Sequence, residues 1–509
     1  MIISKVELLS KSKTPPFELD EHGNEAAEDV RFKYRYLDIR RTKIRDFIKF
    51  RSKMTTYTRN WFTARDFLDV QTPILANSSP EGARDFLVPS RLNPGMFYAL
   101  PQAPQQFKQL LMVGGIDKYF QIAPCFRDED PRADRHAGDF YQIDCEMSFI
   151  EQHDVFDVVE SFILDVSKEL SQKTVITKNP GNDSIRENGK FFILSYDQSL
   201  EKYGTDKPDL RFGLEMVDVL DIFARSSNEI FSGIAQDRVH NRIKALRVPN
   251  GDNIFSKTQM KGFEDYVKKY GAKGLGYFQM TEEGLKGPLN KFFTEADLQE
   301  IIDRTGLQVG DAVFFGAGEK DTVLSYMGKF RNYLADTIGL RDMSQLAFCW
   351  ITDFPMFEKD QVTGKIDFSH NPFSMPQSSL ENLSAEELLE VKAFQYDLAC
   401  NGYEILSGSI RNHSTQNLVN AFKIVGRDED EVKAKFGAMY EAFQYGVPPH
   451  GGFAIGMDRL MMIYLDESNI RDIYAFPKTG RAQDLMMNSP MPAEPEQLKE
   501  LWIDVVDFE

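Results

Sequence analysis

The sequence has 509 residues, 42% of them hydrophobic and 12% aromatic, enough to bury a large core spread over two or three domains. Its formal net charge of -18 argues against bulk electrostatic attraction to nucleic acid, so an RNA contact must use local basic surface. Cys125, Cys145, Cys349 and Cys400 lie far apart without CxxC spacing, which points away from a disulfide framework or a zinc site. The start, MIISKVELLSKSK, lacks the apolar centre of a signal peptide and no apolar run approaches a membrane span, so a soluble cytoplasmic protein is expected.

Residues 1–30 open with a strand-like piece, Ile2 to Leu9, and pass into KSKTPPFELDEHGNEAAED, a proline-containing acidic connector without periodicity. From Arg40 to Phe62, the spacing of Ile44, Phe47, Ile48, Met54, Tyr57 and Trp61 predicts a helix whose Lys and Arg residues form a solvated face. DFLDVQTPIL (66–75) reads as a strand, with Pro73 at an edge or break. NSSPEGARDFLVPSR (77–91) is a turn-rich loop entering a strand at Phe86, Leu87 and Val88. ALPQAPQQFKQLLMVGG (99–115) opens a helix after Pro104, placing Gln105 and Lys108 on one face near its start.

The stretch from Tyr119 to Phe149 carries the densest chemistry. It reads as two antiparallel strands with one buried face, one closing on Cys125-Phe126-Arg127 and the other running from Phe140 to Glu146, joined by a charged loop. Arg127 and Glu129 are expected to face Gln142, Asp144 and Glu146 across this hairpin. Charges at strand ends that are otherwise apolar point to a polar ligand.

Beyond it, Val155, Val158, Val159, Phe162, Ile163 and Val166 predict an amphipathic helix. The region 216–345 carries the strand-like runs RIKALRVP and GAKGLGYFQM. VGDAVFFGAGEK (309–320) reads as a glycine-rich turn, because it lacks the Lys-Ser/Thr ending and the strand-loop-helix order of a phosphate loop. LAFCWITDFPMFE (346–358) suits a buried strand. In YDLACNGYEILSGSIRNH (396–413), Asp397 and Glu404 are seven apart, which a helix or a bent strand could bring onto one side as hard ligands for a divalent ion. GVPPHGGFAIGMDRLMMIYL (446–465) is a glycine-rich strand running into an apolar helix.

FRDED followed by QIDCE resembles motif 2 of the class II aminoacyl-tRNA synthetases, and RDEDPRADR is similar to the bacterial aspartyl branch. DFLDVQTPIL resembles motif 1, Gly456-Met457-Asp458-Arg459 fits motif 3, and their order strengthens each; the likeness extends over nearly the whole chain. It implies an α+β fold, an antiparallel sheet flanked by helices with an inserted α+β domain. The implied division is 1–30, remnant of an N-terminal barrel and hinge; 31–215, first part of the catalytic core; 216–345, insertion; 346–509, second part of the core. KSKTPPF resembles the hinge after an anticodon-binding barrel, so the chain is expected to be a fragment or to start at an internal Met.

The implied activity is ATP-dependent formation of aspartyl-adenylate and transfer of aspartate to the 3′ end of tRNA, with Mg2+, in a homodimer built through motif 1 around Pro73. Charging of tRNA-Asp alone or of both tRNA-Asp and tRNA-Asn stays open. The resemblance assigns aspartate to Glu81, Gln105, Lys108, Arg127, Asp144, His370 and Arg411. It assigns ATP to Arg127, Asp128, Glu129, Arg135, His136, Phe140, Gln142, Glu404, Gly456, Met457, Asp458 and Arg459, and metal to Asp397 and Glu404. Arg127, Arg459 and Glu404 would be catalytic. Asn371 stands where relatives place the second His of a His-His-Pro-Phe loop, Ala103 replaces a common serine, and Leu406 and Ser407 stand where glycines are frequent. An asparaginyl-tRNA synthetase, an asparagine synthetase relative and a non-catalytic RNA-binding paralogue are the competing readings.

Overall fold

A computed structural model describes residues 5–20, 25–78, 83–129, 138–177, 189–360 and 362–506. Helices and mainly antiparallel strands alternate along the chain in an α+β arrangement. Two compact units emerge, one of residues 1–150, 165–171 and 413–509, the other of 151–164 and 172–412, which cut across the division expected at 215 and 346.

The first unit is organised on the hairpin of strands Lys118–Phe126 and Asp139–Ser148, with His450–Gly456 antiparallel to the second strand. In the second strand every residue from Ile143 to Ser148 is buried, so the sheet is covered on both faces rather than the one expected. The alternation survives in chemistry instead: Ile143, Cys145 and Met147 point one way, Asp144 and Glu146 the other. The helix Thr42–Thr63 buries Ile44, Phe47, Met54, Thr58, Trp61 and Phe62, the stripe its spacing predicts. The motif 1 strand is shorter than expected. Only Leu68–Asp69 pairs, in parallel with Tyr119 and Phe120, and the Val70 N–H adds one bond to the Phe120 carbonyl. Of the strand read at Ile2 to Leu9, residues 2–4 lie outside the described residues, and Val6, Leu8 and Leu9 are exposed and lie in no strand.

In the second unit, Gln345–Thr352 is buried from Leu346 onward and pairs in parallel with Thr174–Ile176 and Phe192–Ser195 and antiparallel with Gln395–Cys400. Gln395–Cys400 turns directly into Tyr403–Ile410. Asn401 and Gly402, both at positive φ (53° and 91°), form the two-residue turn that suits right-handed strand twist. Within 216–345 a separate antiparallel sheet has the order Gly284–Lys286, Gly276–Thr281, Ala312–Glu319, Asn241–Val248, Met216–Asp218. The segment VGDAVFFGAGEK is not a turn: Ala312–Glu319 is a central strand of this sheet, and Glu319 caps the helix Lys320–Thr337 by accepting from Asp321 and Thr322. Gly316 serves packing there, since a Cβ would stand 2.6 Å from the Tyr326 hydroxyl. Arg331 of that helix is fully buried, donates to the carbonyls of Asp209, Phe212, Gly213 and Leu214, and has its pKa pulled down to about 10 by desolvation.

Candidate active site

In the first unit, Pro104 precedes the helix Gln105–Val113, whose buried residues are Gln105, Lys108, Gln109 and Met112. That spacing marks the inward stripe of an amphipathic helix, yet three of its four members are polar. Polar groups are buried only where partners await them. Lys108 Nζ lies 2.7 Å from Asp144 Oδ1 and 3.4 Å from Glu146 Oε2, all three side chains at most 2% exposed. Gly452 makes room for this arrangement: it sits opposite Glu146, and a Cβ there would stand 2.1 Å from Glu146 Oε2 and from the Cys145 carbonyl. Gln105 Nε2 donates to Gln109 Oε1 at 3.0 Å, Gln109 Nε2 lies 3.0 Å from His450 Nε2, and His450 Nδ1 lies 2.9 Å from the Pro448 carbonyl.

Arg127 lies one residue past the end of its strand. Its N–H donates to the Gly138 carbonyl at 2.7 Å, its guanidinium stands 5.0 Å from the Phe140 ring centroid, and its Nε is buried without a hydrogen-bond partner among the described residues. The residues opposite Gln142, Asp144 and Glu146 are Ala123, Gln121 and Tyr119, so Arg127 and Glu129 do not face them across the ladder. The strand stops at Phe126, three residues short of Glu129, and the polar ends lie at the mouth of the hairpin. Asp128 is exposed, with its N–H donating to the Arg84 carbonyl.

Gly456 closes the strand His450–Gly456, and Met457 and Asp458 begin the helix Met457–Leu465, both buried. Asp458 turns inward. Its Oδ1 takes Arg51 Nη1 at 2.5 Å, and its Oδ2 takes the Tyr474 hydroxyl at 2.5 Å and the Tyr141 N–H at 3.2 Å. Such saturation fits a brace between motif 2 and motif 3 rather than a ligand contact, which differs from the ATP role the resemblance gives it. Arg459, next along the helix, is half-buried. Glu81, Arg135 and His136 lie outside the described residues.

In the second unit the hairpin Gln395–Ile410 does what spacing alone left open. Asp397 pairs with Ser407, and Ala399 pairs with Glu404, with a register shift between Leu398 and Ala399 that leaves Ile405 as the extra residue. Residues 404 and 407 would fall on opposite faces of a regular strand; the bulge returns Glu404 to the face of Asp397, Ser407 and Ser409. Burial, and then the nearby Glu404 carboxylate, hold the Asp397 carboxyl well above its ordinary range, while the Ser407 hydroxyl favours its charged form. Asp397 Oδ1 is buried and accepts no hydrogen bond among the described residues. Two hard oxygen donors on one face, one of them unpartnered, fit a divalent cation that completes its shell from substrate phosphates and water. Among the described residues no group of three or more His, Cys, Asp or Glu side chains could hold a metal ion unaided.

On the same face, Arg411 is buried and donates through Nη1 to Ser409 Oγ at 2.7 Å. Asn371 serves its own loop: its Oδ1 accepts from the N–H groups of Phe373 and Ser374 and its Nδ2 donates to Gln395 Oε1 at 3.3 Å, which ties the loop to the hairpin. His370 packs edge-on against Phe354, and desolvation lowers its pKa against the opposing pull of Glu358, Asp206 and Glu404. The residues around the site that sequence reading missed are Gln109 and His450 in the first unit. The helical stripe of Gln105, Lys108 and Gln109 was a usable signal; the position of His450 was not.

Residues 27–480 match the model of the tRNA synthetases class II (D, K and N). Over 99% of its length the chain is 54% identical to a protein of Sulfurovum sp. (strain NBC37-1) named aspartate–tRNA(Asp/Asn) ligase, of which it covers 83%. It is 50% identical to the protein of the same name from Campylobacter concisus (strain 13826), over 100% of this chain and 83% of that one. A solved aspartyl-tRNA synthetase candidate of Leishmania major Friedlin is similar at a TM-score of 0.50 and 17% identity, over 92% of this chain and 72% of that one, a likeness that bears on the fold alone. No helix among the described residues is long and apolar enough to cross a membrane. With a family model that spans most of its length and relatives identical at half their positions, the chain belongs to the class II tRNA synthetases of the D, K and N type, enzymes that ligate amino acids to tRNA.

Proposed function

We propose that the chain is an aspartate–tRNA ligase that activates L-aspartate with ATP and charges both tRNA-Asp and tRNA-Asn. The breadth of tRNA choice is supported by the name that eight relatives share at 47–54% identity over at least 98% of this chain. The observation that carries the chemistry is the bulge that sets Glu404 beside the buried carboxylate of Asp397, whose Oδ1 accepts no hydrogen bond among the described residues.

In the first step an α-carboxylate oxygen of aspartate attacks the α-phosphorus of ATP, and pyrophosphate leaves with the electron pair of the broken P–O bond. The attacking carboxylate is already ionised at neutral pH, so the enzyme needs no general base. Its task is orientation and charge neutralisation. Arg127 forks between the α-carboxylate and the α-phosphate, a bidentate role that suits guanidinium. Phe140 stacks on adenine, Glu129 accepts from its amino group, and Arg459 covers its other face and the γ-phosphate. Asp128, Gln142, Gly456 and Met457 line the nucleotide, and Arg135 and His136 reach its phosphates. Asp397 and Glu404 would hold Mg2+, which would supply positive charge for the phosphate groups of ATP.

Lys108 and Arg411 select aspartate over asparagine, since an amide NH2 would turn donors toward donors. A charge pair near 4 Å is worth roughly 4 kcal/mol at an effective dielectric of 20, before desolvation. Glu81, Gln105 and Asp144 take the ammonium end, and His370 closes over the amino acid. The homodimer forms through motif 1: Leu68, Ile74 and Leu75 are about half exposed, and the bridge from Ala76 to Ala99 sets the exposed Leu87 and Phe97 beside them. Its setting is the cytoplasm.

Labelled aspartate offered with tRNA-Asp and tRNA-Asn transcripts tests the reading; both should be charged, and charging of tRNA-Asp alone would narrow it. Arg411→Ala should abolish aspartate activation while ATP still binds, and retained activation would remove its role.

A further inference from the structure

The contacts around Gln105 run in one direction, and that direction sets what Gln105 can offer. The series starts from the Pro448 carbonyl, which can only accept, so His450 Nδ1 carries the proton that reaches it at 2.9 Å. In the neutral ring Nε2 is then a lone pair, and it takes an N–H of Gln109 Nε2 at 3.0 Å. The Gln109 amide is thereby oriented with Oε1 toward Gln105, where it accepts from Gln105 Nε2 at 3.0 Å. Gln105 has its donor end consumed and its Oε1 left over. Among the described residues that oxygen accepts no hydrogen bond, and it is not buried without a partner, so it remains open to a ligand. Both Gln109 and His450 are fully buried, with 0% exposure, which fixes the order of donors along the series.

We propose that Gln109 and His450 are positioning residues that hold Gln105 with its acceptor outward, so that this amide recognises the ammonium group of the amino acid and rejects ligands offering an acceptor there. The inference rests on the reading of the chain as an aspartate-activating ligase. Neither residue touches the substrate; each acts by removing one of the two orientations of the next amide. If the series were broken, Gln105 could turn its NH2 toward the ammonium, donor against donor, and would populate the productive orientation only part of the time.

ATP-pyrophosphate exchange separates the alternatives. Gln109→Met keeps the volume and removes both polar ends, and it should raise the KM for aspartate about tenfold or more, the loss expected of one hydrogen bond to a charged group, with the KM for ATP unchanged. Gln109→Glu should fall within about threefold of the parent, because its carboxylate still accepts from Gln105 while His450 takes up a proton to satisfy the other oxygen. A purely structural role would lower the active fraction, and so kcat, and leave both KM values alone. The inference is overturned if Gln109→Met keeps the parent KM for aspartate, if it raises the KM for ATP equally, or if Gln109→Glu is as impaired as Gln109→Met. No aspartate-stimulated exchange in the unsubstituted chain would remove the ligase reading itself, and the positioning role with it.

Discussion

The two charged hairpins of this chain treat buried carboxylates in opposite ways. In Lys118–Ser148 of the first unit, Asp144 and Glu146 share one buried cation, Lys108, which offsets one of their two charges. In Gln395–Ile410 of the second unit, Asp397 stands beside Glu404, makes no ion pair, and keeps a raised pKa. A buried charge costs free energy unless something compensates it. The first hairpin thus brings a cation of its own to its carboxylates, whereas in the second the proposed reading leaves that part to a divalent cation.

The comparison breaks most visibly if the internal cation is removed. Lys108→Met should leave two buried carboxylates uncompensated and lower the unfolding free energy by about 3–5 kcal/mol in a urea titration; a loss below about 1 kcal/mol would mean that water already neutralises the pair. Gly452→Ala should cost about 1–3 kcal/mol, because the new methyl meets Glu146 Oε2 and the Cys145 carbonyl at 2.1 Å. Thermal melts of the two variants should fall in that order.

In the second hairpin the sign reverses. Asp397→Asn should stabilise the metal-free protein, by about 1 kcal/mol, while exchange activity drops about a hundredfold or more. A variant that loses stability and activity together would make Asp397 a structural residue. The effect has a pH signature. Burial and Glu404 raise the Asp397 pKa above 3.8, so the folded chain holds this proton more tightly than the unfolded chain. That contribution is complete below pH 3.8 and is lost as pH rises through the raised value. The stability advantage of Asp397→Asn in chelator should therefore grow as pH rises above 3.8, and Mg2+ should shrink it by binding the ionised form. A constant difference over that range would contradict the raised pKa.

Much of this was legible in the sequence because strings and spacings report local chemistry. The helix at Thr42–Thr63, the strands of motif 2 and the strand-to-helix step of motif 3 follow from periodicity and glycine placement. What could not be read was register. The seven-residue gap from Asp397 to Glu404 was compatible with several geometries, and only the Asn401-Gly402 turn together with the bulge at Ile405 makes them neighbours. Arg127 was placed opposite Asp144 for the same reason, since the last ladder pair, Phe126 with Asp139, is set by pairing rather than composition. The segment VGDAVFFGAGEK shows the converse error: its glycines suggested a turn, whereas Gly316 lets a helix pack closely on a central strand. His450 lies 341 residues from Gln109, and no local pattern joins them.

The most direct test of the account is ATP-pyrophosphate exchange by the purified chain, supplied in turn with aspartate, asparagine or glutamate, without tRNA. The account predicts Mg2+-dependent exchange stimulated by aspartate alone. Exchange stimulated by asparagine would contradict the assignment of Lys108 and Arg411 to a side-chain carboxylate, and no exchange with any of the three, in folded protein, would contradict the reading of the chain as an active ligase.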